Sequence, residues 1–183
     1  MKFSFSPSST DLKKVEEGTQ LLLGDIKSEK ELELHVEFQE NAPLTIARNG
    51  DHLHITCQEA AHYYRGLNWA VHHLEDTWST KSEPVYFSRN GVMLDCSRNA
   101  VFTVEKVKSV IRTLAKMGMN VLMLYTEDTY EVPGEPYFGS YRGRYTKAEI
   151  QEMDAYASMF GIELVPCIQT LAHLHNVLKW PGK

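Results

Sequence analysis

At 183 residues, 43% of them hydrophobic, the chain is long enough to bury a sizeable core as one domain or two small ones. Its 19 basic and 24 acidic residues give a formal charge of -5, with no basic run, which argues against a nucleic-acid surface. No stretch approaches the roughly 18 consecutive apolar residues of a membrane helix, and the opening Met1-Lys-Phe-Ser-Phe5 lacks the apolar core of a leader.

A cytoplasmic location is therefore expected, with an extracellular one left open. Cys57, Cys96 and Cys167 are odd in number and far apart, two of them inside apolar strand patterns. They read as reduced thiols acting as small hydrophobes.

Lys2-Phe-Ser-Phe5 alternates, and Ser8-Ser-Thr-Asp11 then offers caps to a helix carrying Leu12, Val15, Leu21 and Leu22. Glu31-Leu-Glu-Leu-His-Val-Glu-Phe38 alternates strictly, which predicts a half-buried strand with Leu32, Leu34, Val36 and Phe38 on its inner face. Leu44-Thr-Ile46 and His52-Leu-His-Ile55 flank Asn49-Gly50, the signature of a hairpin. Residues 58–78 carry Ala60, Tyr64, Leu67, Val71, Leu74 and Trp78 at steps of four and three, the apolar stripe of one long helix. Thr80-Lys-Ser-Glu-Pro84 breaks that pattern and reads as a linker, closing an α+β unit over residues 1–82. His52 and His54 share a strand face, and His72 and His73 are adjacent on the helix. No Cys-x-x-Cys or His-Glu-x-x-His spacing accompanies them, so no metal and no cofactor is expected.

Residues 83–183 change grammar. Val92-Met-Leu94 runs into Asp95, Ser97, Arg98 and Asn99; Asn120-Val-Leu-Met-Leu-Tyr125 runs into Glu127 and Asp128; Ile162-Glu-Leu-Val-Pro-Cys-Ile168 runs into Gln169 and His173. Buried parallel strands read as continuous apolar runs, and α/β folds gather their chemistry at the carboxyl ends of such strands. Between them lie two helical patterns. Thr103 caps the first, whose stripe is Val104, Val107, Ile111 and Leu114 with Gly118 closing it. Thr146-Lys-Ala-Glu149 is a capping box that opens the second. The long loop from Glu127 to Tyr145 has the length of a functional loop. Tandem strand–helix–strand units predict a parallel sheet, half of a barrel or of an open doubly wound fold. The absence of Gly-x-Gly-x-x-Gly or a phosphate loop disfavours the nucleotide-binding version.

Asp95-Cys-Ser-Arg98, Gly118-Met-Asn120, Arg144-Tyr-Thr146 and Gly161-Ile-Glu-Leu-Val-Pro166, in that order, make the chain resemble glycoside hydrolase family 20, the β-N-acetylhexosaminidases. Residues 44–78, with their Tyr63-Tyr-Arg-Gly-Leu67 helix, resemble the end of that family's accessory α+β domain. The resemblance implies an α/β catalytic portion: an incomplete (β/α)8 TIM barrel of about three of eight strands following the α+β domain. It also implies terminal N-acetylhexosamine glycans as partners and substrate-assisted retaining hydrolysis.

By the same resemblance Arg98 holds hydroxyls of the terminal sugar, for which a guanidinium offers a fixed fork of donors. Asp128 and His173 support the acid and the sugar pocket, with His175 and Tyr145 as further residues lining the site. Departures exist: Met123 and Tyr125 stand where the family has histidines, and Cys167 and Gln169 interrupt its usual acidic run. The residues alone leave structural readings open. In these readings Arg98 bridges Asp95 and a neighbouring strand, Asp128 caps its loop, His175 shares or takes the role of His173, and Tyr130, Tyr137, Phe138, Tyr141 and Tyr145 pack the loop.

The family's catalytic Asp-Glu pair has no counterpart, since the sequence contains no Asp-Glu dipeptide. The expectation is a hexosaminidase fragment, inactive alone and self-associating through open strand edges. The alternative is a non-catalytic module that binds amino sugars or a protein.

Overall fold

The computed structural model describes residues 1–6, 9, 14–24, 26, 29–98, 100–170 and 172–175. Two sheets organise them. The first is built from β1 (Lys2–Phe5), β2 (Glu31–Phe38), β3 (Leu44–Asn49), β4 (His52–Cys57) and β5 (Thr80–Glu83), in the order β1-β2-β4-β3-β5. Here β1, β2 and β4 run parallel, while β3 is antiparallel to both β4 and β5. Alternation settles the faces: Leu32, Leu34, Val36, Leu44, Ile46, Leu53, Ile55 and Cys57 are buried on one side. Burial pushes the Cys57 thiol up to about 12, so it packs as a hydrophobe.

The short helix α1 (Glu16–Leu23) and the helix α2 (Ala60–His72) belong to this first unit, and their buried residues join the same core as the inner sheet face. Ser8, Thr10, Asp11 and Leu12 lie outside the described residues. Ser9, read as a cap, instead donates its hydroxyl to Leu34 O at 3.2 Å and accepts Val36 N–H at 3.1 Å. The helix starts with Val15 at its N-cap and buries Leu22 and Leu23, leaving Leu21 exposed.

Two corrections follow from α2 and β5. The apolar stripe does not mark one helix over 58–78, because α2 stops at His72. Trp78 returns from a turn: its ring meets Trp69 at 4.8 Å and its indole N–H donates to His73 O at 2.7 Å. It occupies a helical spacing without being helical. Residues 80–83 are not a linker either; they form β5, an edge strand in register with β3 (Leu44↔Glu83, Thr45↔Ser82). A polar, half-exposed strand is what a sheet edge tolerates, and it carries no alternation to betray it.

The second sheet is parallel, β6 (Gly91–Asp95), β7 (Val121–Thr126) and β8 (Glu163–Ile168) in sequence order, connected through α3 (Val104–Met117) and α4 (Lys147–Ser158). Both predicted caps form. Thr103 Oγ1 accepts Lys106 N–H at 3.2 Å, and Thr146 and Glu149 close a capping box. Gly118 ends α3 at φ 75°, a left-handed conformation that favours glycine. Leu122 and Leu124 are buried in the core shared with α3 and α4, whereas Met93, aligned with Met123 and Val165, is 55% exposed on the opposite face.

One contiguous core joins the two sheets through α2. The Tyr64 ring packs on Phe160, and its hydroxyl donates to Met159 O at 2.9 Å, a carbonyl at the C-terminus of α4. Asn120 is the polar counterpart: its amide donates to Glu59 Oε1 and Ser88 O, both at 2.8 Å, and accepts Asn90 N–H.

Beside it sits His62, its Nδ1 buried with no hydrogen-bond partner among the described residues and its Nε2 3.5 Å from Glu59. Burial lowers the His62 pKa, against the pull of Glu59. Its neutral form therefore stabilises the fold above the unfolded value of ~6.5, and that contribution is lost as pH falls through the lower folded value. The urea midpoint should drop from pH 7.5 to pH 5.5 more steeply in the wild type than in His62→Gln. Parallel slopes would remove His62 as the cause.

Candidate functional site

The carboxyl ends of β6, β7 and β8 lie side by side because the strands are parallel and adjacent. After β6 the chain turns on Asp95, whose Oδ1 accepts the Ser97 hydroxyl at 2.6 Å and Ser97 N–H at 2.8 Å. Those bonds, the hydroxyl first, hold the Asp95 carboxyl below the usual range. The Arg98 backbone N–H and charge also favour the ionised Asp95, while the Arg98 guanidinium reaches the neighbouring strand end.

Its partner there is Glu127. Glu127 Oε1 lies 3.7 Å from Arg98 Nη2 and 3.5 Å from His173 Nδ1, and its other oxygen lies 3.2 Å from Arg142 Nη2. The Glu127 side chain is only 8% exposed, while that of Arg98 is 59% exposed. Arg98 Nη2 and His173 Nδ1 also approach each other at 3.5 Å. One carboxylate thus gathers a cation from the end of β6, a cation from the long loop and an imidazole from beyond β8. His173 holds φ 64°, a left-handed conformation costly for a residue with a Cβ. Such an outlier marks a residue that its surroundings constrain.

Asp128 stands beside Glu127 at the end of β7. It is buried and bonded to Arg142, not to Arg98 or His173. Arg142 also donates to Ser97 O, so it staples the end of β6 to both acids of β7. Burial works against the Arg142 charge, but Asp128 and Glu127 outweigh it and raise its pKa. Glu127 and Arg142 were the residues that sequence reasoning missed. Glu127 stood next to the assigned aspartate, and Arg142 sat among glycines and aromatics with nothing to mark its target.

Tyr145 does not line the site. It is 3% exposed, donates to Phe102 O at 2.7 Å and lies 3.8 Å from Cys96 Sγ, fixing the loop between β6 and α3 from beneath. His175 is exposed, and among the described residues no hydrogen bond or ion pair ties it to Glu127 or Arg98. The long loop folds on itself: Glu131 N–H donates to Tyr145 O at 2.8 Å, Tyr145 N–H to Thr129 O at 3.1 Å, and Tyr130 packs edge-on against Phe138. Gly139 passes so close to Asp128 that a Cβ there would sit 2.2 Å from its carbonyl oxygen. Tyr137 and Tyr141 are 76% and 85% exposed, leaving two aromatic faces for a ligand or partner.

In chemical terms the site offers a charge-balanced cluster with Arg98 at its exposed rim. A guanidinium held by a buried carboxylate keeps its remaining N–H donors directed outward and suits oxygen-rich, uncharged ligands.

Residues 87–182 match the profile of glycosyl hydrolase family 20, catalytic domain, which is just over half the chain. The Drosophila melanogaster protein "Probable beta-hexosaminidase fdl" is 28% identical over 109 residues, covering 53% of this chain and 16% of its own length. Among solved structures, the Streptomyces plicatus N-acetyl-β-hexosaminidase bound to Thio-NAglucal superposes with a TM-score of 0.72 at 20% identity, covering 97% of this chain and 43% of that one. The Flavobacterium johnsoniae chitobiase gives 0.70 at 22% identity, covering 97% and 32%. The fold is shared with these enzymes, and the chain spans less than half of each.

Proposed function

The chain belongs to glycosyl hydrolase family 20, and on that footing we propose that it supplies the substrate-holding side of a β-N-acetylhexosaminidase. In this reading the first sheet with α1 and α2 is the accessory domain, its end carried to Glu83 by β5, and β6, β7 and β8 are the first three strands of a (β/α)8 barrel. Arg98 donates to vicinal hydroxyls of a terminal N-acetylhexosamine, while Glu127 and Arg142 fix its guanidinium. His173 closes the pocket from the third strand. The observation that carries the reading is the convergence of Arg98 and His173 on Glu127, since barrel enzymes assemble their sites from the ends of several strands.

The family's chemistry needs an adjacent Asp-Glu pair, and the sequence holds no such dipeptide. Sugar binding without turnover is therefore the expected behaviour of these 183 residues. Titration with N-acetylglucosamine, followed by amide chemical shifts, should perturb residues around Arg98 and His173. Arg98→Ala should weaken binding by about 10-fold or more, the loss of one charge-assisted contact of ~1.5–3 kcal/mol. Unchanged binding in Arg98→Ala would remove Arg98 from the site; release of product from an aryl N-acetyl-β-glucosaminide would refute the division of labour.

Self-association belongs to the same reading. Among the described residues β6 and β8 each have a single strand neighbour, and Met93 and Ile168 are exposed on them. Light scattering should report a dimer or larger species at micromolar concentration. A monodisperse monomer would contradict it.

A further inference from the structure

The outer face of the first sheet carries a cluster unrelated to the sugar site. Side chains at alternate positions of β2 and β4 share that face, because the strands pair in parallel with Glu33 opposite His52, His35 opposite His54 and Glu37 opposite Thr56. The His35 and His54 rings meet edge to face with centroids 4.1 Å apart. Glu37 Oε2 lies 3.6 Å from His54 Nε2 on the diagonal. One ligand atom from each of His35, Glu37 and His54 falls within 4.8 Å of the other two.

We propose that His35, Glu37 and His54 form a binding site for a divalent first-row transition ion of the zinc, nickel or copper type. Two imidazoles and one carboxylate are a donor set that these borderline ions take, and that magnesium and calcium do not. The spacing fits. In a tetrahedral site with metal–donor bonds of about 2.0–2.1 Å, neighbouring donors sit about 3.3 Å apart, and the Glu37–His54 pair already stands close to that. Small side-chain rotations bring His35 in, and the half-exposed position of the cluster leaves the remaining coordination positions to water.

The backbone geometry is supplied by sheet pairing rather than by a loop, so the ligands are held on rigid elements before any ion arrives. The adjoining rung, Glu33 with His52 at 3.2 Å, is closed by its own contact. The site also has a consequence for folding. An ion bound to His35 and His54 clips two strands that are separated in sequence by the whole β3 hairpin arm, and so favours the folded chain.

The test uses the full chain without an affinity tag and Zn²⁺ alone, titrated calorimetrically at neutral pH. One equivalent should bind to the wild type, with a matching rise in Tm. The double variant His35→Gln/His54→Gln should lose affinity by about 10-fold or more, and Glu37→Gln should weaken it with the fold intact by circular dichroism. His173→Gln/His175→Gln should bind as the wild type does. Cu²⁺ loaded at one equivalent should show nitrogen hyperfine splitting that disappears in the His35/His54 variant. Absence of binding in the wild type, binding that survives the His35/His54 substitutions, or loss confined to the His173/His175 variant would each overturn the assignment.

Discussion

Replacing Arg142 by alanine should lower the stability of the chain by about 3 kcal/mol, the cost of leaving buried carboxylates without their cation. Glu127 and Asp128 have side chains only 8% exposed, and Arg142 is bonded to both and to Ser97 O. Removing it leaves, among the described residues, Asp128 with no cation and Glu127 with only Arg98 and His173, whose side chains are 59% and 45% exposed. Native stabilities are about 5–15 kcal/mol, so the loss is visible in any urea transition. The contrast is Arg98→Ala, whose exposed pair at 3.7 Å should cost under about 1 kcal/mol. Arg142→Lys should fall between them, since an ammonium keeps the charge but not the fork. If the Arg98 and Arg142 variants unfold at the same midpoint, the buried staple assigned to Arg142 is wrong.

Tyr64→Ala should be more damaging still, about 3–5 kcal/mol, the usual range for deleting a buried aromatic ring. Tyr64 is fully buried between Tyr63 and Phe160, and its hydroxyl serves a carbonyl at the end of α4. The same side chain therefore belongs to the cores of both sheets. Tyr64→Phe keeps the ring and forfeits only the hydroxyl, shared between Met159 O and Val15 O, for about 1 kcal/mol. Hydrogen exchange should show α4 and α2 losing protection together in Tyr64→Ala. Protection retained in α2 alone would mean that the two sheets unfold as separate units and that Tyr64 does not couple them.

Local signals in the sequence were reliable where the physics is local. The alternation of β2, the Asn49-Gly50 hairpin, the Thr103 cap and the Thr146–Glu149 capping box all formed where their residues stand. The failures are equally physical. The strand β5 has no apolar face, because an edge strand needs none, and its pairing with β3 spans more than 30 residues. The end of α2 was misread because Trp78 folds back onto Trp69 and lands on the extrapolated stripe.

For the site, the amino-acid sequence determined that polar clusters follow three apolar strands, and that Arg98 and His173 belong to the first and third of them. That follows from chain order, since a strand's carboxyl end is marked by the residues after it. Which groups meet was decided by the tertiary structure. Adjacent parallel strands brought Glu127, rather than Asp128, between Arg98 and His173. The folded loop delivered Arg142 beneath them and drew Tyr145 into the core. On the other sheet, the parallel pairing of β2 with β4 set His35 against His54 across 19 positions of sequence. Contacts of that kind depend on strand order and register, which no stretch of sequence read by itself contains.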